Sequence, residues 1–534
     1  MQNVSTCLPY NTTGYFSAIV LDYISGQQEL KPFYNHPVSL EGIKTAINNR
    51  EGFNTNRPLL VKALTEQYKD IQLTQKQQLN IEQLKNNNSF TICTAHQPNI
   101  FTGHLYFIYK ILHAVKMAAS LAAQIPGSTF VPVYYMGSED ADLEELGHIY
   151  LDEKKYEWAT DQKGAVGRMK VDKALLQMIE AVSGQLLVHG FGKEIIDLMK
   201  DCYQSGITIE KATFKLVNEL FAEYGLLVLL PDSGLLKQAF IPVIEKELLQ
   251  GFSHQAVQET VAMFPAKYKV QVSGRELNLF YLKDDSRERI EIINGKFLIH
   301  NTQLVFSKEE ILKELHQYPE RFSPNVILRP VFQEMILPNI AFTGGGGEIA
   351  YWLELKKVFE AVGVPYPILI VRNSFLLVEE KEDTLIKKLQ FGYEEIFKTE
   401  FDLINMLVKR DSNTQLSLEN EKQQMNQLYH QLKNISGKID VTLQQHTEAL
   451  QVKALQKING LEKKMMKAEK RKFEAQQQQL HKMKQQLFPN NSLQERVENF
   501  TLSYAKWGSG FIQAIYENSL SLEQEFVVLK ISNH

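Results

Sequence analysis

The sequence predicts an α/β protein: a Rossmann-like parallel sheet core with connecting insertions, plus a long α-helical coiled-coil domain. Three observations indicate this. Short apolar segments alternate with amphipathic helical ones up to about residue 380, Gln/Lys/Glu-rich heptads follow, and an apolar pattern returns at the end of the chain. We therefore expect the core at 1–380, the coiled coil at 381–490, and a C-terminal segment, 491–534, that returns to the core.

The first βαβ unit is predicted between residues 89 and 136. SFTICTA (89–95) is short, apolar and β-branched, as a buried strand is, and TFVPVYYM (129–136) is the second strand. The helix between them has one apolar face with steps of three and four, formed by Leu105, Ile108, Leu112, Val115 and Ala119. Strand, helix and strand in this order predict parallel pairing with a right-handed crossover.

Three later segments, GLLVLL (225–230), NVILRPVF (325–332) and YPILIV (366–371), are further strand candidates. They alternate with helical segments, which favours a doubly wound sheet. The gaps between the strands are uneven, and about ninety residues separate the second strand from the third. Because one crossover helix needs far fewer residues, we expect insertions near 155–222 and 240–320.

Apolar residues at coiled-coil spacing mark the segment after residue 380. They are Met425, Leu428, Leu432, Ile435 and Ile439, then Ile458, Leu461, Met465 and Ala468, then Phe473, Leu480, Met483 and Leu487. Gln, Lys and Glu occupy most other positions, and Pro489 ends the pattern. A turn at Gly437 or at Asn459-Gly460 would fold the segment into an antiparallel hairpin, and the sequence leaves this choice open.

Composition excludes several classes of function. The chain has 534 residues, 44% of them hydrophobic and 22% charged, and a formal net charge of −4. This charge argues against nucleic-acid binding, and no apolar run is long enough for a membrane span. The three cysteines are widely spaced, and the N-terminal residues lack the pattern of a secretory signal. We therefore expect a reduced, cytoplasmic protein without nucleic-acid or membrane partners.

HQPNIFTGH (96–104) follows the first predicted strand and precedes a helix. Ligands of α/β sheets bind at the carboxyl ends of strands, and backbone N–H groups at a helix start attract anions. A structural turn at Pro98-Asn99 with Thr102 as helix cap is the alternative. The candidate residues of this stretch are His104 as a catalytic residue and His96, Gln97, Thr102, Gly103 and Tyr106 as binding residues.

GSEDADLEELGH (137–148) follows the second strand and contains five carboxylates in seven positions. The later ones suit capping of a short helix, since acidic side chains stabilise helix N-termini. Ser138, Glu139 and Asp140 lie at the strand tip, where they can hold an amine, a sugar hydroxyl or magnesium. Glu139 and Asp140 are candidate catalytic residues, and Ser138 is a candidate binding residue.

FTGGGGEIAYWLELKKVFEAVG (342–363) places four glycines before an amphipathic helix. It matches neither a Walker A motif nor GxGxxG, but glycines permit close approach of a ligand to the backbone. A flexible connection is the alternative. Arg329 lies upstream and has the fork geometry that suits a carboxylate or phosphate. The candidate binding residues are Arg329, Gln333, Gly344, Gly345, Gly346, Gly347, Glu348 and Tyr351. No metal-ligand spacing is present, so we expect no tightly bound metal.

Five blocks of this chain resemble the bacillithiol cysteine-adding enzymes, the BshC family of cysteine ligases. They are AHQPNIFTGHLYFIYKI, VPVYYMGSEDADLEEL, GAVGRMK, LRPVFQEMILPNIAFTGGGGEIAYWLELKKVF and KAEKRK…LFPNNSLQER. The resemblance implies a Rossmann-like core and a coiled coil that pairs two subunits. It also implies the last step of bacillithiol synthesis, in which cysteine is joined to the amine of glucosaminyl-malate.

The core is also similar to the nucleotide-binding folds of class I aminoacyl-tRNA synthetases. Gly103 and His104 match the last two positions of their HxGH motif, whereas Phe101 occupies the first. Amide formation through an activated carboxyl would use ATP or another nucleotide, and Mg²⁺ could be held at the acidic strand tip. Our hypothesis places Gly103, His104 and the four glycines at the anion of the activated group, Glu139 or Asp140 at the amine, and Arg329 at a carboxylate.

Two other functions remain open from the sequence. One is a Rossmann-type nucleotidyl- or group-transferase of another small-molecule pathway. The other is a coiled-coil scaffold with an inactive nucleotide-fold head, which predicts that the glycine block and the acidic strand tip lie apart.

Overall fold

The computed structural model describes residues 4–271, 274–283 and 285–531. The chain forms two compact units. The first contains residues 1–11, 15–377 and 492–534, and the second contains residues 12–14 and 378–491.

The strands of the described residues are as follows: β1 (Val4–Pro9), β2 (Ser89–His96), β3 (Thr129–Met136), β4 (His148–Leu151), β5 (Lys154–Glu157), β6 (Leu227–Leu229), β7 (Leu279–Lys283), β8 (Ser286–Ile293), β9 (Lys296–Ile299), β10 (Val305–Phe306), β11 (Phe322–Pro324), β12 (Asn339–Gly344), β13 (Ile368–Val371), β14 (Ser374–Glu379) and β15 (Glu525–Ile531).

The α-helices of the first unit come before β14 and after residue 492, and the helices between these points belong to the second unit. In chain order they are α1 (Tyr10–Thr13), α2 (Ala18–Ile24), α3 (Leu40–Glu51), α4 (Arg57–Gln67), α5 (Gln75–Gln83), α6 (Tyr106–Gln124), α7 (Leu143–Leu146), α8 (Lys173–Leu186), α9 (Gly192–Cys202), α10 (Ile209–Phe221), α11 (Gly234–Gln238), α12 (Ile241–Gln250), α13 (Phe252–Met263), α14 (Lys308–Gln317), α15 (Arg329–Ile336), α16 (Gly346–Trp352), α17 (Lys356–Val362), α18 (Glu380–Lys388), α19 (Glu400–Asp411), α20 (Glu419–Gly437), α21 (Val441–Lys470), α22 (Glu474–Leu487), α23 (Phe500–Trp507) and α24 (Ser509–Asn518).

A five-stranded parallel sheet with the order β13-β12-β2-β3-β6 is the core of the first unit. Its apolar side chains pack against α3 and α6, and Ile43, Ile92, Met117, Ile340 and Ile370 all belong to this buried cluster. The predicted fold class, a Rossmann-like parallel sheet, is therefore confirmed. The strands predicted near 89, 129, 225 and 366 are all present as β2, β3, β6 and β13.

One predicted strand is wrong. NVILRPVF (325–332) is a turn followed by the first residues of α15. Pro330 suits the first turn of a helix, because its missing N–H is not needed there. The Asn325 side chain accepts a hydrogen bond from Ile327 N at 2.9 Å and holds the turn before the helix. A short apolar run does not distinguish strand from helix by periodicity, and the strand lies further on, as β12.

Two groups of elements interrupt the parallel sheet. Between β3 and β6 lie the β4–β5 hairpin and the helices α8 to α10. Between β6 and β12 lie α11 to α15 and a second, antiparallel sheet with the order β10-β9-β8-β7-β11. The end of the chain supplies β15, which pairs antiparallel with β1 in a third sheet.

The second unit is helical, and α20 and α21 form an antiparallel pair. Lys422 contacts Glu462 at 2.7 Å, Gln451 donates to Asn426 at 2.6 Å, and Lys433 pairs with Glu448. The turn between the two helices follows Gly437, whereas Asn459 and Gly460 lie inside α21. Of the two turn positions that the sequence leaves open, the structure therefore has the first.

Candidate functional site

One cavity of about 840 Å³ lies at the carboxyl ends of three neighbouring parallel strands. His96 and Gln97 line it after β2, Glu139 and Asp140 line it after β3, and Gly345–Glu348 line it after β12. Because β12, β2 and β3 are adjacent and parallel, their carboxyl ends meet at one edge of the sheet. The scaffold hypothesis expected the glycine block and the acidic strand tip to lie apart, and this expectation is wrong.

Only part of the HQPNIFTGH stretch reaches the cavity. His96, Gln97 and Tyr106 line it, whereas Thr102, Gly103 and His104 lie outside its lining. The backbone N–H groups of Thr102 and Gly103 donate within the turn, to Asn99 O and Ile100 O, both at 3.0 Å. They are therefore not exposed to an anion, which corrects the expectation from the sequence. Thr102 does not cap α6 either, because the N-cap position is Leu105.

The turn at 101–103 has an unusual backbone that is held from two sides. Phe101, Thr102 and Gly103 all have positive φ, and the backbone N–H of Phe101 donates to the hydroxyl oxygen of Tyr203 at 3.0 Å. Asn499 donates its side-chain amide to the carbonyls of Phe101 and Gly103. His104 Nδ1 lies 3.2 Å from the Val497 carbonyl. These contacts give the turn a structural role in joining the C-terminal segment to the core.

His96 is the histidine that faces the cavity. Burial lowers its pKa well below the usual value, and the nearby Lys110, His104 and Arg372 lower it further. Its ring lies 5.5 Å from the rings of Tyr106 and Phe107, and its Nε2 is shielded from solvent without a hydrogen-bond partner among the described residues. The imidazole is therefore neutral at physiological pH.

Glu139 is a buried carboxylate at the cavity wall and is 7% exposed. It forms an ion pair with Lys237, a fully buried lysine that also lies 3.5 Å from Asp232 and donates to the Glu320 carbonyl at 3.1 Å. Burial raises the pKa of Glu139, and the positive charge of Lys237 opposes this rise. The guanidinium of Arg168 donates to both carboxylate oxygens of Asp232, at 2.6 and 2.8 Å. Glu139 thus belongs to a fixed network of alternating charges.

Some of the other residues of the acidic stretch line the cavity, and others only stabilise the local structure. Asp140 lines the cavity and accepts from Gln97 Nε2 at 3.2 Å, which joins the ends of β2 and β3 directly. Ser138 is fully buried and lies outside the lining. Asp142 caps α7 by accepting from Glu145 N at 3.0 Å, as expected of the later carboxylates. Glu145 also lines the cavity.

The glycine block has a different physical basis from the one the sequence suggested. None of Gly344–Gly347 has positive φ. Gly344 is the buried end of β12, and a Cβ there would lie 2.7 Å from the ring of Phe342. Gly345, Gly346 and Gly347 line the cavity, and Gly347 has open space around the position of a Cβ. Packing therefore requires Gly344, while the next three leave the backbone accessible.

Glu348 organises the start of α16. Its Oε2 accepts from Gly345 N at 2.8 Å and from Lys110 Nζ at 2.6 Å. Lys110 is buried in α6 and also donates to the Ala95 carbonyl at 2.6 Å. The ends of β2 and β12 are therefore held together by one lysine beneath the cavity.

Arg329 lines the cavity from the first turn of α15. It donates to the Tyr351 hydroxyl at 2.8 Å and to Gln333 Oε1 at 3.2 Å, and its guanidinium lies 5.6 Å from the ring centre of Tyr135. Tyr351 also lines the cavity, whereas Gln333 is fully buried outside the lining.

The largest feature that the sequence did not reveal is the arginine content of the cavity wall. Five further arginines line it, namely Arg275, Arg287, Arg289, Arg372 and Arg496. Arg287 and Arg289 are two residues apart in β8, so they share one face of the antiparallel sheet, and this spacing is a signal in the sequence. Arg372 is buried and held by Glu495 at 2.8 and 3.0 Å.

The lining therefore carries six arginines and four carboxylates, Glu139, Asp140, Glu145 and Glu348. Arg287 contacts only neutral acceptors among the described residues, Ser323 Oγ at 3.2 Å and the Pro324 carbonyl at 3.4 Å, and lies over the ring of Phe280. A chain with a net charge of −4 thus has a locally basic cavity, which suits an anionic ligand.

Comparison with known proteins identifies the family. Residues 4–373 match the family model of the bacillithiol biosynthesis BshC N-terminal Rossmann-like domain, and residues 375–531 match that of the BshC C-terminal coiled-coil domain. The chain belongs to the BshC family.

Curated relatives span nearly all of the chain. Two proteins named "Putative cysteine ligase BshC", from Flavobacterium johnsoniae and Flavobacterium psychrophilum, are 38% and 39% identical to it over 527 residues. These alignments cover 98% of this chain and 99% of each relative. A relative of the same name from Bacillus cytotoxicus is 25% identical, over 96% of this chain and 98% of its own.

Nearly all residues that line the cavity belong to the Rossmann-like domain of the BshC family match. All lining residues except Arg496 fall in the region matched by the Rossmann-like domain, and Arg496 comes from the region that follows. Across the described ranges, no group of three or more His, Cys, Asp and Glu side chains is placed to hold a metal ion. In the same part of the chain, no helix has the length and apolar character needed to cross a membrane.

Proposed function

We propose that this BshC-family chain is a ligase that joins L-cysteine to the amine of glucosaminyl-malate, the last step of bacillithiol biosynthesis. The observation that carries the proposal is the convergence of the three strand ends on one basic cavity that also contains buried carboxylates. The names of the relatives support cysteine as one of the substrates. Glucosaminyl-malate is itself an anion with one amine, so the arginines can bind its carboxylates and the acidic side chains can bind its amine.

Forming this amide requires an activated carboxyl group, because a carboxylate is a poor acceptor for an amine. ATP would convert the cysteine carboxylate into an acyl adenylate with release of pyrophosphate, or into an acyl phosphate with release of ADP. The amine then attacks the acyl carbon, AMP or phosphate leaves, and the amine nitrogen loses a proton. The protein must therefore hold two anionic groups and accept one proton.

The lining residues suit these tasks. In the proposal Arg329 holds a carboxylate of the malate group, because a guanidinium binds carboxylates through two parallel hydrogen bonds. Glu139 or Asp140 orients the amine and accepts its proton. The backbone at Gly345–Gly347 contacts the anionic part of the activated acyl group. His104 and Gly103 are left out, because both lie outside the lining.

MgATP is the proposed activating reagent. A cavity of about 840 Å³ is in the size range of sites for nucleotides and drug-sized ligands. The arginines offer donors for phosphate oxygens, and Mg²⁺ would enter bound to those phosphates, since it is usually held by substrate phosphates and one or two carboxylates.

The test is product formation by the purified full-length protein. It is incubated with cysteine, glucosaminyl-malate, ATP and Mg²⁺, and bacillithiol is measured by mass spectrometry together with AMP and ADP. Bacillithiol with an equimolar amount of AMP or ADP is expected, and the nucleotide released identifies the route. Arg329→Ala and the omission of glucosaminyl-malate are the controls. Nucleotide transfer to a different acceptor, or no product under any condition, would overturn the proposal.

A deletion strain provides an independent check. Glucosaminyl-malate is expected to accumulate as bacillithiol disappears, and a plasmid copy of the wild-type chain should reverse both changes. A strain that keeps its bacillithiol after the deletion would show that another protein performs the step.

A further inference from the structure

The partners of Arg329 are all neutral. Its guanidinium donates to an amide oxygen of Gln333 and a phenol oxygen of Tyr351, and it lies above the ring of Tyr135. Among the described residues, no carboxylate lies within ion-pair distance of it. Arg329 is half-buried, and a guanidinium that is partly withdrawn from water normally needs a counter-charge. The position of Arg329 at the cavity wall lets a ligand provide that charge.

Gln333 can face Arg329 in only one way. Its Nε2 donates to Glu334 Oε1 at 2.9 Å, so its Oε1 is the atom that accepts from Arg329. The guanidinium of Arg329 can only donate, and this fixes the orientation of the amide. Gln333 is fully buried one helical turn after Arg329, so its side chain has no solvent alternative.

The carboxylate of Glu334 is in turn held by two other donors. Arg50 NH2 lies 2.9 Å from its Oε2, and Asn339 Nδ2 donates to its Oε1 at 2.8 Å. Arg50 also donates to the backbone carbonyls of Glu334 and Asn339. The negative charge of Glu334 is therefore matched by Arg50, in α3, and does not neutralise Arg329.

We propose that Gln333 is a positioning residue that holds Arg329 toward the cavity without neutralising it, and so determines the preference of the site for a substrate carboxylate. The inference rests on the proposed function, in which Arg329 binds a carboxylate of the malate group. The chain Arg50–Glu334–Gln333–Arg329 fixes the guanidinium from behind, and the neutral amide leaves its charge for the substrate.

The first experiment compares Gln333→Met with the wild type. Methionine keeps the volume but removes both the acceptor that faces Arg329 and the donor that faces Glu334. We expect KM for glucosaminyl-malate to rise about tenfold while kcat stays within about twofold, since the lost interaction acts on binding. Gln77→Met is the matched control, because Gln77 is also fully buried and donates to Asn218 and to the Leu226 carbonyl, away from the cavity. An equal rise of KM in both variants would overturn the inference.

The second experiment asks whether Gln333 acts through Arg329. In an Arg329→Met background, Gln333→Met is expected to have no further effect on KM, because the group it positions is gone. Additive effects would mean that Gln333 acts by another route. Gln333→Glu would also neutralise Arg329, but it places a carboxylate beside Glu334, whose pKa burial already raises to about 7. Methionine is therefore the decisive variant.

Calorimetric titration with L-malate alone separates this inference from the proposed function. The wild type is expected to bind L-malate, and Gln333→Met to bind it about tenfold more weakly, whether or not the enzyme performs ligation. Absence of ligation with this difference intact would refute only the proposed function. Ligation with unchanged malate binding in Gln333→Met would refute only the role of Gln333.

Discussion

Lys110 Nζ lies 2.6 Å from Glu348 Oε2, so that a lysine of the helix after β2 is paired with a glutamate of the helix after β12. Lys110 is 1% exposed, and its second partner is the carbonyl of Ala95, next to His96. The contact joins two of the three chain segments that form the cavity.

Replacing Lys110 by methionine should therefore loosen the site and destabilise the fold. We expect a loss of about 1–3 kcal/mol in the free energy of unfolding, because Glu348 and the Ala95 carbonyl each lose a donor. Urea unfolding measures this loss. Lys116→Met, on the same helix but with its ammonium at an exposed carbonyl, is the control and should cost less than half as much. Equal losses in the two variants would contradict the importance of the buried pair.

Glu139→Gln tests the carboxylate at the end of β3. Under the proposed function we expect kcat to fall about 100-fold, since glutamine cannot accept the proton of the amine. Steady-state kinetics with the three substrates gives the value. Asp142→Asn should leave kcat unchanged, because Asp142 caps α7 outside the cavity and asparagine is also a good helix cap. If Glu139→Gln kept the wild-type kcat, the residue that accepts the amine proton would instead be Asp140 or His96.

His113 should make the first unit sensitive to acid. It is buried between the Ser521 carbonyl at 2.8 Å and Asn373 N at 3.1 Å, which donates to Nδ1, and burial lowers the pKa of its ring to about 4. The unfolded chain binds a proton near pH 6.5 and the folded chain only near pH 4. Stability is thus complete above pH 6.5 and falls by about 3 kcal/mol as the pH drops toward 4.

Urea unfolding between pH 4 and 7 checks this dependence. His113→Gln should be less stable at pH 7 and should have a flatter pH profile than the wild type. His430→Gln, at an exposed position of the second unit, is the control. If the stability of His113→Gln changed with pH as steeply as that of the wild type, other groups would cause the pH dependence.

Gly103 and Gly347 should respond in opposite ways to alanine. Gly103 has φ of +67°, and a Cβ there would lie 2.8 Å from the Asn99 Cβ, so alanine should destabilise the fold by about 1–3 kcal/mol. Gly347 lies in the first turn of α16 with no atom within 4 Å of a Cβ, so alanine should be neutral or stabilise by up to about 1 kcal/mol. Thermal unfolding of both variants is the measurement, and equal changes would refute the distinction.

We propose that the exposed apolar residues of α20 and α21 pair two copies of the chain. Leu432 and Ile435, both in α20, are 41% and 61% exposed at coiled-coil positions. The double variant with lysine at both positions should shift a dimer to monomer in sedimentation experiments, because burying two ammonium groups is unfavourable. Asn434→Lys adds a charge at an exposed polar position of the same helix and should leave the dimer intact. A monomeric wild type would refute the proposal.

Local patterns in the sequence were sufficient for four of the five strands of the parallel sheet, β2, β3, β6 and β13, and for the coiled coil. β2, β3 and β13 are buried apolar runs, and α6 has a helical apolar face. Each can therefore be recognised from a short stretch of consecutive residues. The segment at 325–332 failed for the same reason, since an apolar run of this length fits both a strand and a helix. Arg329 was therefore placed on the wrong element, although it does line the cavity.

The candidate site was predictable only in outline. Position after a strand was enough to select His96, Glu139 and Gly345, because parallel strands bring their carboxyl ends to one edge. It could not exclude Gly103 or His104, whose orientation depends on Asn499 and Val497, nearly four hundred residues away.

The sequence by itself determined the fold class, the coiled coil and the strand ends at which a ligand would bind, because these follow from periodicity and from the order of neighbouring elements. Only the tertiary structure decided which side chains meet there. It brings Arg287 and Arg289, from the antiparallel sheet, and Arg496, from near the end of the chain, to the same cavity. It leaves His104 outside the lining. The physical reason is that the charge of a site is the sum over residues that are close in space, and most of these are far apart in sequence.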